Sequence, residues 1–190
     1  TGGFSVSAGT MLTIRPGVVI KFTGGGMIDI AGILRAEGSA DKTIIFTSFS
    51  DDDCGIAAGC GDTDHASNVP KAGDWFSIKF EPSAGASVLA YATVRYGGKS
   101  GFSEYPGAVQ INSSVSVNMS YLTLERNHYA GMRIDKASPM ISDSFIRDNQ
   151  GSPSVGQYYG LSLNASSTPT ISNTHFKNND IDISNGDPTS

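Results

Sequence analysis

The chain has 190 residues, a formal net charge of −5 and only 16% charged residues. That size suits one domain, the acidic balance disfavours a duplex nucleic-acid partner, which needs a basic stripe to displace counterions, and no apolar run approaches the ~18 residues of a membrane span. The 23 glycines suit a chain full of tight corners. The sequence opens at Thr1 with neither a methionine nor a signal sequence, which leads us to expect a processed or excised fragment.

Residues 4 to 48 read as short strands. Leu12 and Ile14 alternate, Pro16-Gly17 turns, and Val18 to Phe22 is a β-branched run with Lys21 facing out. Three glycines, 24 to 26, turn again; Met27 to Ile30 alternates around Asp29, Ile33-Leu34 opens another strand, and Ile44 to Phe46 closes this part. A hairpin stack would carry two-residue Asn-Gly or Asp-Gly turns between strands, and no such series occurs.

Residues 49–73 interrupt the pattern as an inserted acidic loop. This stretch is polar, rich in glycine and aspartate and without periodicity, so it projects from the strands. Cys54 and Cys60 are the only cysteines, and their closeness in one loop points to a local disulfide of a secreted or cell-surface protein, against two free thiols in a cytosolic one. Asp51, Asp52, Asp53, Asp62 and Asp64 crowd the same loop. Calcium takes six to eight oxygens from such carboxylates, carbonyls and water, and a cation would relieve their repulsion. We therefore expect a calcium-ordered loop, with a solvated acidic loop as the alternative. Zinc fits less well, because Cys54, Cys60 and His65 leave no evident fourth ligand.

Strands resume at Asp74-Trp75, where alternation directs Phe76, Ile78 and Phe80 to one side. From Gly107 to Asn179 the chain then repeats itself three times, as GAVQINSSVSVNMSYLTLERN, GMRIDKASPMISDSFIRDN and GLSLNASSTPTISNTHFKNN. Each copy opens on a glycine followed by an apolar pair, Val109 with Ile111, Met132 with Ile134, or Leu161 with Leu163. Each closes on an apolar residue three places before an asparagine: Leu124 before Asn127, Ile146 before Asn149, Phe176 before Asn179. Aligning these with Val94 also aligns Leu89, Met119, Ile141 and Ile171, with Gly97 where the later copies carry Asn. Strands of three to five residues at this repeat length exclude a helical solenoid. The expected fold is all-β, a right-handed parallel β-helix: a single-stranded solenoid of about seven coils, ~30 to 35 Å tall at the ~4.8 Å strand spacing. Residues 1–190 would form one domain, with loops inserted at one corner. A fixed corner Asn would pair its amide with those above and below while tolerating left-handed backbone. A β-sandwich is the alternative.

The segments FTSFSDDD, GDT and PKAGDWFSIKF, followed by LAYATVRYGG at residues 89 to 98, resemble a recurrent segment of secreted bacterial right-handed β-helix repeat proteins. The likeness covers about residues 10 to 183 and implies a module of a cell-surface or adhesin-like protein. The chain departs from that pattern by inserting CGIAAGC between the two acidic halves.

Coil lengths differ almost entirely just after the Asn or Gly corner, so the long loops should stack along one edge. Between Asn127 and Gly131 only three residues intervene. That short corner would leave a notch floored by His128 and Tyr129 and walled by Phe102, Tyr105, Tyr158 and Tyr159. Insertions gathered on one face mark a binding face in repeat proteins, and aromatic rings give flat area against sugars; we expect a polysaccharide or cell-surface glycan there. Turn tyrosines packing on their own loops are the alternative.

Catalysis has weaker support. No catalytic residue is singled out: there is no Gly-x-Ser-x-Gly elbow, and His65, His128 and His175 fall at different coil positions. A pectate-lyase-like lyase or a glycoside hydrolase would need a base or paired carboxylates on one outer face. The outward residues after each closing apolar position, Arg95, Glu125, Arg147 and Lys177, read most simply as a solvated stripe, and Asp135, Asp143 and Asp148 offer no selected pair. Asn112, Asn118 and Asn164 begin glycosylation sequons at a frequency near chance. The expectation is a non-catalytic structural or adhesive module, calcium-stabilised and glycan-binding, with a polysaccharide-active enzyme as the alternative. Open strand edges at the two ends lead us to expect further β-helix, another domain or another subunit against them.

Overall fold

The computed structural model describes residues 2–56, 59–63, 68–99, 106–112, 116–149, 158–164 and 166–186. Its strands are β1 (Phe4–Val6), β2 (Met11–Ile14), β3 (Val19–Phe22), β4 (Ile28–Ile30), β5 (Ile33–Glu37), β6 (Ile44–Ser48), β7 (Ile78–Phe80), β8 (Ser87–Arg95), β9 (Gly107–Asn112), β10 (Val117–Glu125), β11 (Ala130–Asp135), β12 (Met140–Ser142), β13 (Phe145–Arg147), β14 (Tyr159–Leu163), β15 (Thr170–Ser172), β16 (His175–Lys177) and β17 (Ile181–Asn185). The described residues contain no helix. A seven-stranded sheet takes β1, β4, β7, β9, β11, β14 and β17 in that order, and the remaining strands form a ten-stranded sheet. Every pairing between these strands is parallel. Parallel pairing of strands that recur in sequence order is the arrangement of a β-solenoid and excludes the sandwich of antiparallel sheets.

The apolar spacing fixes the register. Leu89 pairs with Met119, Met119 with Ile141 and Ile141 with Ile171, while Val94, Leu124, Ile146 and Phe176 form a second row five residues on. In the smaller sheet Val109, Met132 and Leu161 align, as do Ile111, Ile134 and Leu163. These rows meet in one core that also contains Trp75, Phe22, Phe46 and Phe80. Gly107 breaks the expected alignment, because it pairs with Ala130 and not with Gly131. A methyl group on Gly131 or Gly160 would lie 2.9 Å from the amide nitrogen of Asn149 or Asn179. That position requires glycine in the second and third copies, as the pattern had it, and is held by Ala108 in the first, one place after Gly107.

That corner is a ladder of amides. Asn127 Nδ2 donates to Asn149 Oδ1 at 3.2 Å and to the Val94 carbonyl at 3.1 Å. Asn149 Nδ2 donates to Asn179 Oδ1 at 3.0 Å and to the Leu124 carbonyl at 3.1 Å. The left-handed backbone falls one residue earlier than expected, on Tyr96, Arg126, Asp148 and Asn178 at φ between 54° and 61°. Turning that residue outward aims the following Asn inward, where its amide satisfies carbonyls the turn leaves open. In the coil that lacks the Asn, Trp75 occupies the space: a Cβ on Gly97 would sit 2.9 Å from the indole ring. Trp75 stacks on Phe22 at 4.4 Å and donates from Nε1 to the Arg95 carbonyl at 2.9 Å. Phe76 is thereby displaced from the core row expected for it and lies under Lys99 Nζ, 5.8 Å from its ring centre.

A second left-handed corner divides the larger sheet at Tyr91, Tyr121, Asp143 and Asn173. There Tyr91 and Tyr121 stack at 4.3 Å, and Asn173 Nδ2 donates to Asp143 Oδ1 at 2.7 Å. The two Asn types should behave differently. Asn149→Ala strands buried donors and acceptors and is expected to cost ~2–4 kcal/mol, whereas exposed Asn173→Ala should stay within ~0.5 kcal/mol. Urea unfolding midpoints of the two variants measure the difference; equal losses would refute the amide-ladder account.

Candidate functional site

Alternation along the larger sheet sends Thr93 and Arg95 outward on either side of buried Val94. Pairing extends this into two outward rows. Thr93, Thr123, Phe145 and His175 form one. Arg95, Glu125, Arg147 and Lys177 form the other, and the pairing of Phe46 with Val94 brings Thr47 beside Arg95, with Lys21 beyond it. The stripe is not solvated along its whole length. Arg95 is 2% exposed and Glu125 6%, because the acidic loop folds back over them.

Each acidic residue of the loop's first half meets a partner on that row. Asp51 Oδ2 accepts the hydroxyl of Thr47 and lies 3.4 Å from Arg95 Nε, while its Oδ1 accepts the Cys54 amide at 3.2 Å. Asp52 Oδ1 pairs with Lys21 Nζ at 3.3 Å and accepts the Thr63 amide. Lys21, expected to face out freely, is capped by the loop and also donates to the Gly61 carbonyl at 2.7 Å. Asp53 accepts the Gly55 amide at 2.7 Å and approaches Arg95 Nη2 at 3.6 Å. The Gly55 amide holds the Asp53 carboxyl below its ordinary value; desolvation opposes it, and the Arg95 charge adds a smaller lowering effect. At Gly55 a Cβ would stand 2.7 Å from Arg95 Nη1, so the loop backbone lies directly on the guanidinium. The disulfide between Cys54 and Cys60 is present as expected. Asp74 Oδ2 closes the loop's base by accepting from Ser48 Oγ at 2.6 Å and the Lys71 amide at 2.9 Å.

This donor set does not fit calcium well. The carboxylates of Asp51 and Asp52 are spent on Arg95, Lys21, Thr47 and backbone amides, and among the described residues no group of three or more His, Cys, Asp or Glu side chains could hold a metal ion. Asp62 is described but belongs to no such group, and Asp64 and His65 lie outside the described residues.

The aromatic corner is brought together, but inward. Tyr158, Tyr159 and Tyr129 are 0%, 4% and 8% exposed. The His128 ring meets Tyr129 edge-on at 4.4 Å and Tyr158 at 5.2 Å, and the two tyrosines stack at 5.5 Å. Tyr129 and Tyr158, expected on an open notch, therefore pack against each other and His128, and Tyr129 itself has left-handed backbone at φ 59°. Phe102 and Tyr105, the notch's other expected walls, lie outside the described residues. The Gly98 carbonyl can only accept, so His128 Nδ1 carries the hydrogen at 3.2 Å and Nε2 accepts from the Tyr158 hydroxyl at 3.3 Å. Burial pushes the His128 imidazole down from its ordinary 6.5, with the Gly98 hydrogen bond opposing.

Beyond the acidic loop the two outward rows lie open. One cavity, about 290 Å³, is lined by Asp53, Arg95, Glu125, Arg126 and Arg147 among others. A second, about 500 Å³, is lined by Thr123, Phe145, Arg147, His175, Phe176 and Lys177. They share Thr123 and Arg147 and so form one groove. Glu125 is held between Arg95 Nε at 3.7 Å and Arg147 Nη2 at 2.6 Å. Phe145 is 51% exposed and its ring stacks on His175 at 5.3 Å. The sequence carried this signal in the outward aromatic of FIR and HFK, at matching positions of two copies. No protein-family model, no curated protein and no solved structure matches the chain.

Two measurements check this geometry. Arg95→Met leaves Asp51 buried without its cation and Glu125 with Arg147 alone, and should cost ~3–5 kcal/mol; the wild-type melting temperature should not change when a calcium chelator is added, and a large drop would assign the loop's order to metal. For His128, the depressed value means that the unfolded chain binds the proton first as pH falls. Its contribution to stability is full above 6.5 and is lost as pH falls toward the lower native value. The stability slope of wild type below pH 6.5 should flatten in His128→Gln, clear of the Asp53 titration, which lies below 3.8.

Proposed function

We propose that the chain is a right-handed parallel β-helix and serves as a non-catalytic structural or adhesive module of a secreted or cell-surface protein. The handedness follows from the strong right-handed preference of crossovers between parallel strands of one sheet. The Cys54–Cys60 disulfide supports an oxidising, extracellular setting. End rungs that leave Met11 and Ile183 in solvent support end-to-end contact with more β-helix, another domain or another subunit.

One observation carries the non-catalytic reading: the buried carboxylates of the outer row are committed to the chain's own cations. Asp51 is held by Arg95, and Glu125 by Arg95 and Arg147. A glycosidase needs one carboxyl able to hold a proton and a second to attack or activate water. Asp51 and Glu125 are instead taken up by guanidiniums of the chain itself, which leaves neither free to form that pair. The second reading, a polysaccharide-active enzyme, is favoured by Asp53 and Glu125 lining the same cavity.

Incubation with polyuronate and neutral polysaccharides separates the two. The module reading expects no fall in polymer length and no unsaturated product in the ultraviolet. Cleavage that disappears in Glu125→Gln would establish the enzyme.

A further inference from the structure

The exposed half of the outer groove is built differently from the half under the acidic loop. Beneath the loop, the row beside Arg95 and Glu125 carries Thr93 and Thr123. Two rungs further it carries Phe145 and His175. Threonine is what an exposed strand ordinarily presents; a phenylalanine left half in water costs solvation and packs nothing beneath it, because Ile146 next to it already faces the core. Its ring lies nearly parallel to His175, at 21°, and so makes a flat surface two rungs long.

Cations border that surface on one side. Arg147 gives one nitrogen to Glu125 and approaches Asp148 at 3.9 Å, yet its side chain remains 45% exposed. Lys177 is exposed and makes no ion pair among the described residues. The cavity over this half, lined by Thr123, Phe145, Arg147, His175, Phe176 and Lys177, contains no carboxylate, on a chain whose net charge is −5. Local positive charge against an acidic background selects an anion. An aromatic face beside it selects a ligand with a flat apolar side. A chain of uronic acid residues has both on every unit: the C–H face of the pyranose ring, and a carboxylate at its edge for bidentate Arg147 or for Lys177.

We propose that this groove binds an acidic polysaccharide of the uronate class, with Phe145 and His175 as the stacking platform and Arg147 and Lys177 as carboxylate partners. The site rests on the module reading above, for which it names the ligand. A single-stranded nucleic acid also offers rings and anions, but the remaining surface is acidic and would repel a long phosphate backbone.

The test is affinity electrophoresis of the whole protein in gels containing polygalacturonate, dextran or oligothymidylate. Polygalacturonate alone should retard the wild type, and added salt should weaken the effect. Phe145→Thr, which copies the residue at Thr123, should weaken binding about tenfold, and Lys177→Gln about threefold. Both sites are exposed, so unchanged melting curves certify the fold. Absence of retardation, equal retardation of wild type and Phe145→Thr, or equal retardation by oligothymidylate would each overturn the proposal. Recovering the polymer afterwards separates this from the module reading. Uncleaved polymer without retardation removes the uronate site alone, while cleaved polymer with Phe145-dependent retardation supports the ligand and removes the non-catalytic reading.

Discussion

A guanidinium taken out of water must be paired, and Arg95 is the point from which the outer surface of this protein is ordered. It projects from the sheet by strict alternation and would lie in solvent if the chain ran on without interruption. The acidic loop instead returns over it, setting Asp51 and Asp53 on one side, while Glu125 of the next rung approaches on the other. Glu125 in turn holds Arg147. Charge alternates over Arg95, Glu125 and Arg147, and each carboxylate cancels part of the desolvation cost of its neighbours. The disulfide and the Asp74 clasp fix the loop's ends so that its acids stay over the row.

The row has this reach only because the coils are held in register. Where the chain turns out of the larger sheet, a residue in left-handed backbone is followed by an inward Asn whose amide reaches the next coil. That geometry repeats for Asn127 and Asn149, the last Asn, Asn179, donates to the Ile146 carbonyl and Asp182, and Trp75 with Gly97 replaces it where the long loop enters. Corner and loop are therefore linked: the indole that fills the missing rung also binds the carbonyl of Arg95.

Much of this was legible from residue spacing. Apolar positions five apart, and an Asn three places after the second, fix the register because a parallel stack gives each coil the same environment. Two cysteines in one short loop pair locally. Burial of Arg95 was not legible, since alternation says only that it leaves the sheet and the covering loop comes from forty or so positions earlier. For the same reason the acids of that loop suggested a cation from outside, while nothing in the spacing showed that Asp51 and Asp52 meet Arg95 and Lys21. Tyr129 is buried because a corner residue in left-handed backbone escapes the period of two. The outward aromatics Phe145 and His175 obeyed that period and could have been found by reading each closing strand two residues back from its cation.

The central claim is that the chain's own buried cation orders the acidic loop. Amide hydrogen exchange at Cys54 and Gly55 tests it most directly, because both amides donate to the loop's carboxylates. The account predicts slow exchange that persists with a calcium chelator and becomes fast in Arg95→Met. Protection lost on chelation with Arg95 intact, or retained without Arg95, would contradict it.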